Sequence, residues 1–141
     1  MRAWRAYIVG TELMRQQLHR ELQDAHGMTI ADYEVLVQLS DRDGRMRMTQ
    51  LAGRVASSKS RLSHQISRME RAGLVRRVDC PDDARGVIAE LTDKGMDLLR
   101  AAAPTHVAGV REHLIDLLTP EEHASLATMF ERVLKHLDDL P

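Results

Sequence analysis

The chain has 141 residues, 43% of them hydrophobic and 29% charged, with a formal net charge of −1 and a single cysteine. That is enough for one domain with a buried core; it excludes wholesale disorder, and one thiol excludes an internal disulfide framework. No apolar run approaches the length of a membrane span, and the opening "MRAWRAYIVGTEL" carries charge where a signal peptide would be apolar, so a reducing cytoplasm and no membrane are expected.

In chain order, residues 2–26 read as a long helix. Tyr7, Ile8, Leu13, Met14, Leu18 and Leu22 recur every three or four positions, and Gly27 suits a left-handed C-cap. Thr29 is a good N-cap for a second helix with Asp32 as its acidic N3 residue; Tyr33, Val35, Leu36 and Leu39 point inward, and "DRDG" at 41–44 ends it. A short third helix covers residues 49–55 and carries Leu51 and Ala52. The stretch "SSKSRLSHQISR", residues 57–68, predicts a fourth helix capped by Ser57 or Ser58 and stopped at Gly73, with Leu62, Ile66 and Met69 facing a core.

Beyond Gly73 the periodicity changes. "LVRRVD" and "GVIAELT" are short β-rich runs, and "CPDDARG" between them predicts a hairpin with a longish charged tip. Thr92 then caps a helix beginning "DKGMDLLRAAA", which Pro104 should kink or interrupt. In "TPEE", Thr119 is the N-cap, Pro120 sits at N1 and Glu122 at N3 completes a capping box. The last helix presents a broad apolar face of Leu126, Met129, Phe130, Val133, Leu134 and Leu137. No internal repeat or low-complexity tract is present.

This order predicts a mainly α fold with a small β-hairpin wing. A winged helix-turn-helix occupies residues 29–95, and residues 1–28 and 96–141 form a discontinuous helical region of the same compact unit. The outer helices carry more apolar surface than a compact winged helix can cover, which predicts burial against a second copy of the chain.

The charge is segregated. Residues 45–86 hold ten cations against four anions, a local +6 that leaves −7 for the remainder, the footprint of a segment that meets phosphate. In the fourth helix, Ser60, Arg61, Ser63, His64, Ser67 and Arg68 are sent outward in varying degrees when Leu62, Ile66 and Met69 face the core, and Lys59 in the first turn joins them as a candidate DNA contact. Small residues near the helix start permit entry into a major groove about 12 Å wide. Arg61 can reach guanine O6 and N7 with its fork, Ser60, Ser63 and His64 can reach base edges or phosphates, and Arg68 is expected on the backbone. Free N–H groups near Ser57 and Ser58 favour a phosphate. On the hairpin, Arg85 suits a narrow minor groove, with Asp83 placed to orient its guanidinium. The bland alternatives are a solvated helix and a surface ion pair that stiffens a turn; exposed pairs stabilise by only about 0–1 kcal/mol, so stability alone hardly demands one.

The pieces "MTIADYEVLVQL", "MTQLAGRV", "SRMERAGLVRR" and "DDARGVIAELTDKG" are individually weak, but in this order and spacing the chain resembles the MarR family of winged-helix transcriptional regulators over nearly its whole length. The resemblance implies a homodimer joined through its terminal helices, bound to a palindromic operator on double-stranded DNA as a repressor and released by a small-molecule effector. It also implies Arg85 as the minor-groove residue with Asp83 as its positioning partner, and gives Trp4 two readings, a lining residue of an effector pocket or an anchor in the dimer core.

Other chemistry has less support. Seven histidines invite a metal reading, with His106 and His113 seven apart and His123 and His136 on the next helix, but there is no HExxH and no cysteine pair. Cys80 has only Arg76 and Arg77 nearby to lower its pKa, and redox-sensing relatives carry their cysteine on the first helix, where this chain has none. No nucleophile elbow, phosphate loop or catalytic carboxylate pair is present, so neither an enzyme nor a cofactor is expected. The alternatives carried forward are a metal-responsive or effector-independent regulator of the same fold, and a protein-interaction module that has lost DNA binding.

Overall fold

The computed structural model describes residues 1–140, with only the backbone at residue 84. The elements are α1 (Arg2–His26), α2 (Ile30–Ser40), β1 (Arg45–Arg47), α3 (Met48–Arg54), α4 (Lys59–Arg71), β2 (Val75–Cys80), β3 (Asp83–Leu91), α5 (Asp93–His113), a 3-10 turn (Ile115–Leu117) and α6 (Pro120–Asp138). They divide into two compact units, residues 1–106 and the chain from Val107 onward. Mainly α with a three-stranded antiparallel sheet, this is the winged-helix class that the periodicity predicts.

The first unit is built on local signals that the structure bears out. Gly27 closes α1 at φ 64°, and Thr29 Oγ1 accepts the Asp32 N–H at 3.1 Å. Gly73, at φ 78°, turns the chain out of α4 toward the sheet. Leu36, Leu39, Leu51, Leu62, Ile66 and Val75 are all fully or almost fully buried, so α2, α3, α4 and the root of the hairpin share one core. Burying side chains of this size stabilises by roughly 1.5–3 kcal/mol each before the entropy of ordering the chain is subtracted.

The sheet differs from the sequence expectation in two ways. Strand β1 has no signal in the sequence: three residues carry no readable alternation, and it forms because β3 offers an edge, pairing Arg45 with Glu90 and Arg47 with Ile88. The hairpin tip is also tighter than "CPDDARG" suggested, because Cys80 already pairs with Asp83. The extra length is taken up further back: Asp79 pairs with Val87, so residues 84–86 bulge out of β3. A Cβ at Gly86 would stand 2.9 Å from the Cys80 Cβ, so the bulge needs a glycine where the two arms come closest.

Pro104 does not interrupt α5, which runs continuously from Asp93 to His113. The proline deprives the Arg100 carbonyl of its helical donor, and both residues are exposed, so water can replace the lost bond. At the other end of this helix, Thr92 Oγ1 donates to the Gly73 carbonyl at 2.6 Å and accepts the Gly95 N–H at 3.0 Å. A Cβ at Gly95 would sit 2.1 Å from the Leu74 carbonyl oxygen. The "LTDKG" stretch is therefore a cap followed by a close approach of helix to backbone.

In the second unit, Thr119, Pro120 and Glu122 form the predicted capping box, with Thr119 N–H to Glu122 Oε2 at 2.8 Å and Glu122 N–H to Thr119 Oγ1 at 3.2 Å. Met129, Val133, Leu134 and Leu137 on α6 are all exposed in the single chain, as are Trp4, Ile8 and Leu13 on α1. No helix among the described residues is long and apolar enough to cross a membrane.

Gly95→Ala is expected to destabilise the fold by about 2–3 kcal/mol, because α5 must be pushed off Leu74. Gly53→Ala, where an added Cβ meets nothing within 4 Å, should be neutral or stabilise by up to about 1 kcal/mol. Thermal unfolding of the two variants checks the contrast in sign.

Candidate nucleic-acid interface

Helix α4 starts from a tight corner. Ala56 adopts φ 50°, Ser57 N–H donates to the Ala52 carbonyl at 2.9 Å, and Ser58 caps the helix by accepting the Arg61 N–H at 3.1 Å. The Ser57 N–H is thus already engaged, and the phosphate reading shifts along the chain. The first intrahelical bond is Leu62 N–H to Ser58 C=O, so the N–H groups of Lys59 and Ser60 precede it and point out of the helix end. Lys59, Ser60, Arg61, Ser63, His64 and Arg68 are all exposed, whereas Leu62, Ile66 and Met69 are buried.

Two polar grips hold this helix, one on each flank. On the wing side, Arg77 of β2 donates to the Ser63 carbonyl at 2.7 Å, the Ser63 hydroxyl at 3.2 Å and the Ser67 hydroxyl at 3.0 Å. Its guanidinium also reaches Glu70 at 3.4 Å, and Glu70 accepts the Arg77 backbone N–H at 2.8 Å. Ser63 is therefore engaged within the protein as well as exposed. On the other side, Asp32 of α2 accepts from Gln65 Nε2 at 2.9 Å and from both Arg68 Nη atoms at 2.7 and 2.9 Å. That bond pushes Arg68 still further into its charged form. Arg68 was expected on the DNA backbone; the structure gives it a carboxylate partner inside the chain.

Arg85 lies in the bulge of β3 and is exposed. Asp83 Oδ1 accepts the Arg85 backbone N–H at 2.9 Å, and its other oxygen lies 3.8 Å from the Arg47 guanidinium. Asp83 therefore fixes the backbone on which Arg85 is presented; the guanidinium it approaches is that of Arg47. At the root of the wing, Glu90 is flanked by Arg45 at 2.9 Å and by Arg76.

Charge alone thus overstates the free cations. Of the ten in residues 45–86, Arg45, Arg47, Arg68, Arg76 and Arg77 pair with carboxylates of the same chain. Arg54, Lys59, Arg61, Arg71 and Arg85 are exposed and make no ion pair among the described residues. Four of these five lie on α4 and the hairpin: Lys59 and Arg61 in the first turn of α4, Arg71 at its far end, and Arg85 on β3.

Trp4 is exposed and tilted against Tyr7 at a ring-centroid distance of 6.1 Å. A second aromatic contact has no signal in the sequence: Tyr33 of α2 stacks on His106 of α5 at 4.4 Å. His106 Nδ1 is buried without a hydrogen-bond partner, and burial pulls the His106 pKa below its usual value. At the residue before His106, Thr105 Oγ1 lies 2.8 Å from His26 Nε2. No group of three or more His, Cys, Asp or Glu residues among the described residues is arranged to hold a metal ion.

Comparison with known proteins follows the same outline. The model of the MarR family matches residues 28–87. AbsC, a MarR family transcriptional regulator from Streptomyces coelicolor, has 48% sequence identity and a TM-score of 0.92, with 98% of this chain and 93% of that one covered. Sco3205, a MarR family transcriptional regulator from the same organism solved in complex with DNA, has 44% identity and a TM-score of 0.91, covering 96% and 85%. The HTH-type transcriptional regulator MhqR of Bacillus subtilis is 27% identical over 129 residues, 92% of this chain and 84% of that one.

The half-buried ring of His106 has a consequence for stability. A histidine whose folded pKa lies below its unfolded value, about 6.5, is neutral in both states at higher pH; stability is lost as pH falls through that unfolded value, because only the unfolded chain takes up the proton readily. His106→Phe keeps a ring against Tyr33 and removes the titration. Its melting temperature relative to wild type should therefore be more favourable near pH 5.5 than near pH 7.5. A difference independent of pH would mean that folding leaves the His106 pKa where it is in the unfolded chain.

Proposed function

This chain belongs to the MarR family of transcriptional regulators, and from that premise we propose that it works as a homodimer, a repressor clasped through its terminal helices onto a palindromic operator. Residues 29–95 are the DNA-reading part, and residues 1–28 and 96–141 the dimerising part. The exposed apolar residues of α1 and of α6 support this division, since a single chain leaves Trp4, Ile8, Leu13, Met129, Leu134 and Leu137 in water.

One observation carries the DNA reading: Lys59 and Arg61 at the start of the recognition helix and Arg85 on the wing are exposed and unpaired, while Arg47, Arg68 and Arg77 beside them are paired with carboxylates of the same chain. Helix α4 enters the major groove, with Arg61, Ser60 and His64 toward base edges and the Lys59 and Ser60 N–H groups toward a phosphate. Ser57 and Ser58 build the corner that presents them. Ser63 lies at the groove edge, and Arg85 enters the minor groove from a bulge that Asp83 stiffens. Two symmetric helices read half-sites about one helical turn, roughly 10 base pairs, apart. A small-molecule effector releases the DNA; the partnerless nitrogen of His106 beside Tyr33 is the observation that favours a polar ligand near α2 and α5.

Selection from random duplex, followed by titration of the selected site, tests this reading. Arg61→Ala should cost about 1–3 kcal/mol and relax the base preference inside the half-site. Arg85→Ala should weaken binding and relax preference beside the half-sites while the protein still sediments as a dimer. With Lys59, Arg61 and Arg85 of each protomer meeting phosphate or groove, log K should fall against log salt with a slope of about −5 for the dimer. A slope near zero, or a chain that sediments as a monomer at micromolar concentration, would overturn the reading.

A further inference from the structure

We propose that Asp32, which lies off the DNA-facing surface, is a positioning residue for the recognition helix and keeps the charge of Arg68 away from DNA. The proposal rests on the DNA-binding reading above and deepens it.

Asp32 is the only buried charged residue among the described residues; its side chain is 8% exposed. Its carboxylate lies at the N-terminal turn of α2, where the helix dipole favours a negative charge. Three donors from two side chains of α4 converge on it: Gln65 Nε2 and Arg68 Nη2 on Oδ1, and Arg68 Nη1 on Oδ2. Gln65 and Arg68 are three residues apart and share a face of α4.

The apolar side of α4 cannot supply the same constraint. Leu62, Ile66 and Met69 are held by burial, which is non-directional and tolerates small rolls of the helix in its seat. A bidentate guanidinium–carboxylate contact does not, because rolling α4 breaks both bonds of the fork. Arg61, Gln65 and Arg68 occupy positions i, i+4 and i+7, a single stripe along the helix. Fixing the last two members of this stripe fixes the azimuth of the first, the residue proposed to read a base. Arg77 braces the opposite flank through Ser63 and Ser67, so the Asp32 contact sets the roll against a fixed stop.

The second consequence concerns charge. The Arg68 side chain is 54% exposed, so without a partner it would join any DNA phosphate within reach, whatever the sequence. Tied to Asp32, it adds net charge to neither specific nor non-specific binding. Asp32 thus favours discrimination twice: it aims Arg61, and it removes a sequence-blind cation.

The test compares wild type with Asp32→Asn, Arg68→Lys and the double variant Asp32→Asn/Arg68→Gln, measuring affinity for the selected operator and for random duplex well below each melting temperature. In Asp32→Asn the ratio of operator to random affinity should fall about tenfold, the cost of one mismatched base pair. Random-duplex binding should hold or strengthen, its salt slope steepening by roughly one per protomer. Arg68→Lys keeps the charge, loses the fork and should also lower the ratio. The double variant should discriminate no worse than Asp32→Asn alone and lose the extra salt slope. Should Asp32→Asn fail to fold, Arg68→Lys decides, since its side chain is half in solvent. A ratio within twofold of wild type in the variants that fold, whatever happens to their melting temperatures, makes Asp32 a structural residue only and overturns the proposal. A wild-type chain that binds no duplex brings down the DNA reading itself, and the proposal with it.

Discussion

The surface proposed to meet DNA depends on how a thirteen-residue helix is kept from rolling. Helix α4 buries only three side chains, Leu62, Ile66 and Met69, and its remaining faces are too polar to be held by the hydrophobic effect. What holds it is a pair of polar grips: the Asp32 carboxylate through Gln65 and Arg68, and the Arg77 guanidinium through Ser63 and Ser67. Buried ion pairs are poor sources of stability, since apolar residues of equal volume often do as well or better. Their strength is directional, and a helix proposed to present side chains to base edges needs direction more than it needs free energy.

Asp32 is also one of three consecutive residues that tie α2 to three different elements. Asp32 reaches α4, Tyr33 stacks on His106 of α5, and Glu34 pairs with Arg15 of α1 at 2.5 and 3.2 Å. Successive helical residues point about 100° apart, so one turn serves three partners without the contacts competing. A helical turn is stiff. Any displacement of α1 or α5 large enough to move Glu34 or Tyr33 therefore moves the Asp32 carboxylate with it, and the Arg68 fork registers the shift. The coupling needs no long chain of intermediates, only a single turn gripped on three sides.

How much of this was legible in the sequence follows from the range of each interaction. Thr29, Ser58, Thr119, Gly27 and Gly73 act within a few residues, and the structure uses each as its local pattern indicated. The apolar faces of α2 and α4 were equally readable, because periodicity is a local property. Asp32 was visible only as an acidic residue in a first turn, while its main partner lies 36 positions away. Arg68 looked like one more outward cation for the same reason, and Arg77 of β2 gave no hint that it grips Ser63 fourteen residues back. Tyr33 and His106 share a contact that no spacing rule connects. Strand β1 exists through its pairing with β3, not through its own three residues. Sequence showed where polar residues cluster; the fold decided which of them are engaged with each other.

The charge distribution makes the same point with a consequence for recognition. A local excess of +6 over residues 45–86 suggests a broadly attractive surface, yet half of those cations are matched by carboxylates on the protein. The rest of the chain carries −7, so at long range the molecule is slightly repelled by a polyanion. At physiological salt a charge is felt over only about 8 Å. In the proposed binding mode, attraction is therefore strongest when the start of α4 and the bulge of β3 already face the duplex. Pairing half of the cations internally would sacrifice affinity for DNA in general and leave the proposed contacts Arg61 and Arg85 to act where base edges and groove width can be read.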